Sequence, residues 1–264
     1  MSGASFFQSR PLQTWLDAHA LDDSVMAEAY ESLSDKERAV LKKGIARQHV
    51  VWGEYSLRES RTRSFRQGFG VVEDDAPATY GLLVCEASYP SPAAFIAVLM
   101  PALLAGVSAV LPCFISAGGT TSRKDISAPL LGALELAGVE RAFAASESEI
   151  CTLAEMLRAD SGRGRIVLLG GPGFGESLAL HAHRAGVLCL SLTQPPLYYS
   201  DRLCAVLEHS FMQERTDPAD AALCRDDDAA MFLHLDAAHE DVWFWPKLGP
   251  DWFRTRRMRI FSLQ

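Results

Sequence analysis

Residues 80–115 read YGLLVCEASYPSPAAFIAVLMPALLAGVSAVLPCFI. The stretch holds a short apolar run, a turn with two prolines, a longer apolar run that ends in Ala-Gly-Val, and a second short apolar run. Apolar runs without period-two alternation are typical of strands that are covered on both faces. The stretch from Ala93 to Pro112 contains two prolines, so we expect buried α/β core there rather than a membrane span.

Short β-prone runs alternate with longer helical runs as far as about Leu192. This alternation indicates βαβ units and a mostly parallel sheet. Three helical runs end in Ala-Gly, at Gly106, Gly138 and Gly186, where glycine takes the left-handed C-cap conformation at low cost. We therefore predict an α/β fold with three α/β/α layers, N-terminal helices and a C-terminal β-rich tail.

The chain divides into three regions, all expected within one compact domain. Residues 1–66 are predicted to be a helical segment, residues 67–212 a Rossmann-like α/β core, and residues 213–264 a linker and a β-rich tail. The core includes a predicted last helix over residues 200–212. The tail holds Trp243, Trp245 and Trp252 and is predicted to finish a sheet; a homo-oligomer contact is the alternative, because aromatic residues are enriched at interfaces.

A capping box from Ser34 to Glu37 predicts the start of a helix that continues to about Ser60. Its later part and the residues after it carry four arginines, Arg58, Arg61, Arg63 and Arg66. Cations suit the negative end of a helix, which is the simplest explanation of these arginines. An anion-binding face is the alternative.

Composition excludes several classes of protein. The chain has 264 residues with 48% hydrophobic and 22% charged residues, which is typical of globular proteins rather than disordered ones. Its net charge of −8 excludes a general nucleic-acid binder. The N-terminal sequence lacks the apolar region of a signal peptide, so we expect a cytoplasmic protein with no membrane partner. The six cysteines show no CxxC spacing and are expected to be reduced core thiols.

Two turns are the candidate ligand-binding elements. The glycine-rich turn Gly170–Gly175 lies between a strand and a helix, where backbone amides can meet an anion; the alternative is a tight turn that merely requires glycine. The turn 87–92 follows the first strand of the core. Ligands of open α/β sheets bind outside the carboxyl ends of the strands, so we expect the two turns to share a crevice. The candidate residues in them are Tyr89, Ser91, Gly171, Pro172, Gly173 and Phe174.

Catalytic motifs are scarce. No Gly-x-Ser-x-Gly elbow and no P-loop occur. His181 and His183 stand two apart on a predicted helix, so they point to different faces and do not form a metal pair. Cys113 and Cys189 are candidate nucleophiles at strand ends, but neither has an activating base nearby in the sequence. We assign no catalytic residue.

The core resembles histidinol dehydrogenase, a member of the aldehyde-dehydrogenase-like superfamily. Five segments carry the resemblance in the right order: Gly81–Val84, Tyr89–Ala102, Ala105–Val107, Pro129–Val139 and Gly171–Gly173. They are similar to the family's first strand and turn, its PSxVLMxxxPAxxAGV helix, its next helix ending in AGV, and its GPGN turn. The resemblance covers less than half of the chain and implies a three-layer fold of the type that binds NAD in that family.

Several positions depart from the family's pattern. Leu83, Ser148 and Phe174 stand where the family has a tyrosine, a glutamine and an asparagine near the nucleotide. Glu86 lies among the residues that replace the family's glycines after the first strand, and its charge would oppose a pyrophosphate. Glu86 and Ser148 therefore join the candidate ligand-pocket residues.

The family's zinc site is also altered. His209 is the remaining candidate metal ligand, but Val206 would replace the glutamine ligand of the family, so we expect no metal. The chain is also much shorter than the family's.

These departures predict a histidinol-dehydrogenase-like domain without dehydrogenase activity, which binds a small molecule or a partner at the crevice. No cofactor is expected, and a small anionic molecule is the candidate ligand because of the glycine-rich turn. One alternative is an NAD(P)-dependent oxidoreductase with altered cofactor contacts. Another is a subunit that acts only within a complex and exposes an apolar patch around Trp243–Phe253.

Overall fold

The computed structural model describes residues 7–53, 55, 58–116, 123–193, 243–245 and 248–262. The helices are α1 (Arg10–His19), α2 (Asp23–Ser32), α3 (Asp35–Trp52), α4 (Pro92–Leu104), α5 (Ala128–Leu136), α6 (Glu147–Ser161) and α7 (Glu176–Arg184). The strands are β1 (Glu59–Phe65), β2 (Phe69–Pro77), β3 (Tyr80–Glu86), β4 (Ala109–Ile115), β5 (Phe143–Ala144), β6 (Gly164–Gly170), β7 (Leu188–Thr193) and β8 (Arg254–Ser262).

Five strands form a parallel sheet in the order β5-β4-β3-β6-β7. The central strand β3 is buried on both faces. Leu83 and Cys85 pack with residues of α2 to α5, whereas Leu82 and Val84 pack with residues of α1, α6 and α7. The predicted three-layer α/β/α fold is confirmed, because helices cover both faces of one parallel sheet.

The three Ala-Gly endings close their helices as predicted. Gly106, Gly138 and Gly186 have φ angles of 75°, 71° and 68°, the left-handed region that favours glycine. At the first of them, the amide of Val107 donates to the carbonyl of Ala102, which satisfies a carbonyl at the end of α4. Each of these glycines directs the chain from a helix back towards the next strand.

The apolar stretch 93–112 forms most of α4 and the beginning of β4, and α4 is almost fully buried. Pro101 lies inside the helix, so one backbone hydrogen bond of α4 is missing there. Among the helices in the described residues, none has the length and apolar character needed to cross a bilayer.

The N-terminal segment differs from the prediction after residue 52. Ser34 and Glu37 form the predicted capping box, but α3 ends at Trp52, because Gly53 takes a positive φ of 66° and ends the helix. The expected helix up to Ser60 is therefore wrong. Arg61 and Arg63 instead lie on β1, whose partner strand β2 follows a short turn.

The three remaining described strands form an antiparallel sheet in the order β1-β2-β8. Strand β8 confirms that the tail is β-rich and finishes a sheet. The predicted helix over 200–212 and the linker that follows it lie outside the described residues.

The tail is anchored to the α/β core by buried aromatic side chains. Trp245 and Phe253 are buried, and the Trp245 indole Nε1 donates to the carbonyl of Ala94 over 3.0 Å. The buried amide of Gln48 donates to the carbonyl of Trp243 and accepts from the indole of Trp52. Because Trp245 and Phe253 pack in the chain's own core, they do not contribute to an exposed apolar patch; a homo-oligomer through the tail stays a prediction.

Candidate functional site

The strand order reverses direction at β3. From β3 the chain moves outwards to β4 and β5, and then crosses to the other side of β3 for β6 and β7. In open α/β sheets, ligands bind where the strand order switches, outside the carboxyl ends of the strands. The loops after β3 and β6 lie at this point, so the structure brings together the two turns that the sequence singled out.

A hydrogen bond joins these two loops. The amide of Gly171 donates to Glu86 Oε2 over 3.0 Å, and Glu86 is half-buried at the end of β3. The Ser88 hydroxyl lies 3.4 Å from Glu86 Oε1, which holds the carboxylate from the other side. Glu86 therefore occupies a backbone donor of the glycine-rich turn.

The glycine-rich turn is shaped by Phe174. The amide of Phe174 donates to the carbonyl of Gly171 over 3.1 Å, and the Phe174 ring folds back over the end of β6. A Cβ at Gly170 would lie 2.3 Å from that ring, so only glycine fits there. Gly173 has a φ of 81° and lies exposed with Pro172 at the tip of the turn. The turn thus needs glycine for its own packing and backbone conformation.

A second carboxylate occupies the start of α7. Glu147 Oε1 accepts a hydrogen bond from the amide of Leu178 over 3.0 Å. Leu178 is the third residue of α7, whose N-cap Gly175 provides no side-chain cap. The amide of a helix's first turn is a natural anion site, and here a side chain from α6 takes it. Sequence reasoning missed Glu147, because nothing local links it to a helix that begins 29 residues later.

The other predicted residues have mainly structural contacts. Tyr89 is buried in the core under α4 and α5. Ser91 accepts from the amide of Ala94 over 3.2 Å and so caps α4. Ser148 is exposed on the first turn of α6, and its hydroxyl lies 3.1 Å from that of Ser146. Leu83 is buried inside the sheet rather than at its edge. A ligand-binding role of these residues stays a prediction.

The candidate thiol nucleophiles are protected by burial. Burial raises the pKa of the Cys113 thiol far above its usual range, and it raises that of Cys189 to about 11. Cys85, next to Glu86, is also fully buried, and burial raises its pKa as well. Thiols with raised pKa values are poor nucleophiles at neutral pH, because little thiolate is present.

The histidines in the described residues give no metal site. His181 Nε2 lies 3.0 Å from Glu155 Oε1, and His183 is exposed. His209, the candidate metal ligand, lies outside the described residues. Within the described part of the chain, no three His, Cys, Asp or Glu side chains are placed together to hold a metal ion.

Carboxylates of the chain itself bind two backbone amides in and after the glycine-rich turn. In Rossmann-type sites the pyrophosphate lies on the glycine-rich turn and on the first amides of the following helix. Here the amide of Gly171 is bound to Glu86 and the amide of Leu178 to Glu147. Glu176 adds a third carboxylate in the first turn of α7. A pyrophosphate would have to displace two carboxylates and approach a third.

Comparisons with known proteins give likenesses of fold only. No family model matches the chain, and no curated protein matches its sequence. Among solved structures, it is similar to histidinol dehydrogenase from Elizabethkingia anophelis, with 14% identity and a TM-score of 0.48 over 71% of this chain and 44% of that one.

Two further solved structures show a comparable likeness. One is PnpE in complex with nicotinamide adenine dinucleotide, at 13% identity and a TM-score of 0.45 over 71% of this chain and 42% of that one. The other is succinate-semialdehyde dehydrogenase from Burkholderia pseudomallei, at 12% identity and a TM-score of 0.40 over 74% of this chain and 42% of that one. The chain spans less than half the length of these proteins. Its resemblance to histidinol dehydrogenase is thus accompanied by a partial, divergent structural likeness to aldehyde-dehydrogenase-like proteins.

Proposed function

We propose that this chain is a Rossmann-type domain without dehydrogenase activity, which binds a small molecule at the crevice between the loops after β3 and β6. One observation carries the proposal: the carboxylates of Glu86 and Glu147 occupy the amides of Gly171 and Leu178. These are amides of the kind that hold a dinucleotide's pyrophosphate in this fold. No cofactor is then needed.

The same carboxylates select the chemistry of the ligand. Glu86 and Ser88 place oxygen atoms at the end of β3 and in the loop after it, and an ionised carboxylate accepts hydrogen bonds but does not donate them. An anion would meet negative charge there, whereas an amine or a molecule with several hydroxyl groups would meet acceptors. We therefore assign this crevice to a neutral or cationic small molecule in place of the anion that the glycine-rich turn suggested.

Titration calorimetry with NAD, NADP and AMP tests the absence of dinucleotide binding. We expect no saturable heat from the wild-type chain up to about 1 mM ligand. Any binding would then have a Kd above about 1 mM, which is weaker than that of a working cofactor site. The variant Glu86→Ala frees the Gly171 amide and removes a charge, so it should bind NAD better than the wild type. Glu86→Gln removes the charge but retains an acceptor for the amide, and it should gain less.

A thermal-shift screen tests the ligand class. Diamines and amino alcohols should raise the melting temperature of the wild type, and Glu86→Gln should reduce that shift. Succinate, a dianion of similar size, is the matched control and should have no effect. A ligand at 100 times its Kd stabilises the native state by about 2.7 kcal/mol. Stabilisation by succinate but not by the amines contradicts the proposal.

The alternative is an NAD(P)-dependent oxidoreductase with altered contacts. The strand order β5-β4-β3-β6-β7 and the glycine-rich turn favour it, because both are typical of dinucleotide-binding domains. Saturable binding of NAD by the wild type in the micromolar range would establish the alternative and refute our proposal.

A further inference from the structure

A second groove, of about 450 Å³, lies between the antiparallel sheet and the α/β core. Thr79 and Arg163 line it and directly precede β3 and β6, so the groove lies at the amino ends of the parallel strands. The loops of the proposed crevice lie at their carboxyl ends. Because β3 has seven residues, which rise about 3.3 Å each, the two sites are about 20 Å apart.

Three arginines from separate parts of the chain converge on this groove. Arg58 precedes β1, Arg163 precedes β6 and Arg257 lies on β8, and all three side chains are exposed. Within the described residues, no carboxylate lies at ion-pair distance from any of the three. Asp74 is the carboxylate among the lining residues, so the groove has two more positive than negative charges.

The cationic surface extends beyond this groove. An adjoining depression shares Asp74, Arg163 and Arg257 with it, and adds Arg259 from the same face of β8. Like charges that converge repel one another, so a bound anion would relieve the repulsion among these arginines.

The arginines on the opposite face of the antiparallel sheet form ion pairs with carboxylates. Residues that face each other across antiparallel strands lie on the same face, and Arg61, Glu73 and Asp75 share the other face. Four arginines there lie at ion-pair distance from carboxylates: Arg61 from Glu59, Arg63 from Glu73, and both Arg254 and Arg256 from Asp75. Each of these arginines thus has a carboxylate partner from the sheet itself, whereas the arginines of the groove have none among the described residues.

Backbone carbonyl groups near the groove are engaged by hydrogen bonds within the chain. This matters because helix α6 ends there, and its last carbonyl groups would repel a negative charge. The hydroxyl of Thr79 donates to the carbonyl of Arg163 over 2.9 Å, and the amide of Arg163 donates to the carbonyl of Ser161 over 3.0 Å. The amide of Gly162 donates to the carbonyl of Arg158, which satisfies another carbonyl of α6. Three of these oxygens are therefore engaged away from a ligand.

We propose that this groove binds a small molecule that carries a phosphate or pyrophosphate group. The planar guanidinium donates two parallel hydrogen bonds to phosphate oxygens, and three of them can surround one such group. The groove's volume is larger than a lone phosphate and lies in the range of ligand pockets, and Ala76 and Pro77 offer apolar contact to an organic part. The site is independent of the proposed function of the crevice.

Calorimetric titration of the full chain with inorganic pyrophosphate at low ionic strength tests the proposal. We expect saturable binding with a Kd of about 0.1 mM, and about tenfold or greater weakening in Arg163→Gln/Arg257→Gln, because charge-assisted bidentate bonds are lost. The matched control is Arg66→Gln/Arg184→Gln, which removes the same charge at exposed positions away from the groove. The control should bind within about twofold of the wild type, since distant exposed charges are screened by salt. Unchanged thermal unfolding of both variants verifies that they fold.

Four outcomes would overturn the proposal. The first is that the wild type does not bind pyrophosphate, and the second is that the control variant loses as much affinity as the groove variant, which would indicate diffuse charge. The third is that malonate binds as tightly as pyrophosphate, which would indicate no preference for phosphate. The fourth is that only a polymeric anion such as heparin binds, which would indicate a macromolecular partner. Binding that persists in Glu86→Ala separates this site from the crevice.

Discussion

The two ends of the parallel sheet carry opposite charge. At the carboxyl ends, Glu86 and Glu147 hold backbone amides that an anion would otherwise meet. At the amino ends, Arg58, Arg163 and Arg257 face a groove with one carboxylate among its lining residues. The fold alone would direct a phosphate to the carboxyl ends, where loops and helix N-termini meet. Side chains can thus oppose the preference of the fold at one end, and a sheet beside the core can bring cations together at the other end.

The largest effect is expected from removing the aromatic side chain that anchors the antiparallel sheet to the core. Phe253 is fully buried and its ring lies 3.5 Å from the position of a Cβ on Gly81 of β3. Phe253→Ala should lower the free energy of unfolding by about 3–5 kcal/mol, because it leaves a cavity between tail and core. Urea unfolding measures this loss, and pyrophosphate binding should fall with it.

Ile260→Ala is the control for that variant. Ile260 lies on β8 but is 65% exposed, so its truncation should change stability by no more than about 0.5 kcal/mol. If Phe253→Ala cost no more than Ile260→Ala, the tail would not be anchored through Phe253.

Tyr80, at the amino end of β3, is expected to make the stability of the fold depend on pH. Burial raises the pKa of Tyr80 from 10 to about 12, against the opposing charges of Arg158 and Arg165. A raised folded-state pKa means that the neutral phenol stabilises the fold fully below pH 10 and that this contribution is lost as the pH rises from 10 towards 12. The loss should reach about 2–3 kcal/mol, at 1.36 kcal/mol per pKa unit.

Tyr80→Phe isolates this contribution from other groups that titrate at high pH. The variant should lose less stability than the wild type between pH 9 and pH 11, as measured by urea unfolding. Within the described residues the buried Tyr80 hydroxyl has no hydrogen-bond partner, so the variant should also be more stable than the wild type at neutral pH by about 1 kcal/mol. Parallel pH profiles of the two proteins would refute the assignment.

Two neighbouring arginines at the amino ends of the strands are expected to differ in their roles. Arg165 is half-buried, and its guanidinium donates to the carbonyls of Trp252 and Arg254. Arg165→Gln should therefore destabilise the fold by about 1.5–3 kcal/mol, the range for charged hydrogen bonds. Arg163→Gln should leave stability within about 0.5 kcal/mol and reduce only anion binding. Equal losses of stability would show that both arginines are structural.

At the carboxyl ends of the strands, we expect only a small loss of stability when a carboxylate at the start of a helix is removed. Glu147 and Glu176 are each the first residue of a helix, but only Glu147 binds the amide of Leu178. Glu147→Ala should cost about 1 kcal/mol, as for the loss of a helix cap, and Glu176→Ala should cost less. Thermal unfolding compares the two, and the reverse order would contradict the capping role of Glu147.

The sequence predicted those parts of the fold that local signals determine. The Ala-Gly endings at Gly106, Gly138 and Gly186 and the capping box at Ser34 are set by residues within a few positions of one another. The strand β1 was missed because its residues Glu59–Phe65 are all exposed and show no apolar face. Only pairing with β2 makes them a strand, and such pairing depends on side chains of the partner strand.

The candidate site could be located but not described from the sequence. The topology rule for parallel sheets placed the turns after β3 and β6 together, as the structure has them. The bond from Gly171 to Glu86 joins residues 85 positions apart, and no local pattern specifies which carboxylate meets which amide. The arginine groove could not be predicted from the sequence for the same reason, because it forms only where Arg163 lies beside β8, which is distant in the sequence.

Strand β2 lies between β1, which precedes it at once, and β8, which follows roughly 180 residues later. The described strands of the parallel sheet end at Thr193, whereas β8 ends at Ser262. At a synthesis rate of about 5–20 residues per second, β8 leaves the ribosome about 3–14 s after β7. Until β8 is synthesised, one edge of β2 lacks the partner strand that it has in the folded protein. Unpaired strand edges can pair with other chains, so this edge is where we expect a chaperone to be most useful during synthesis.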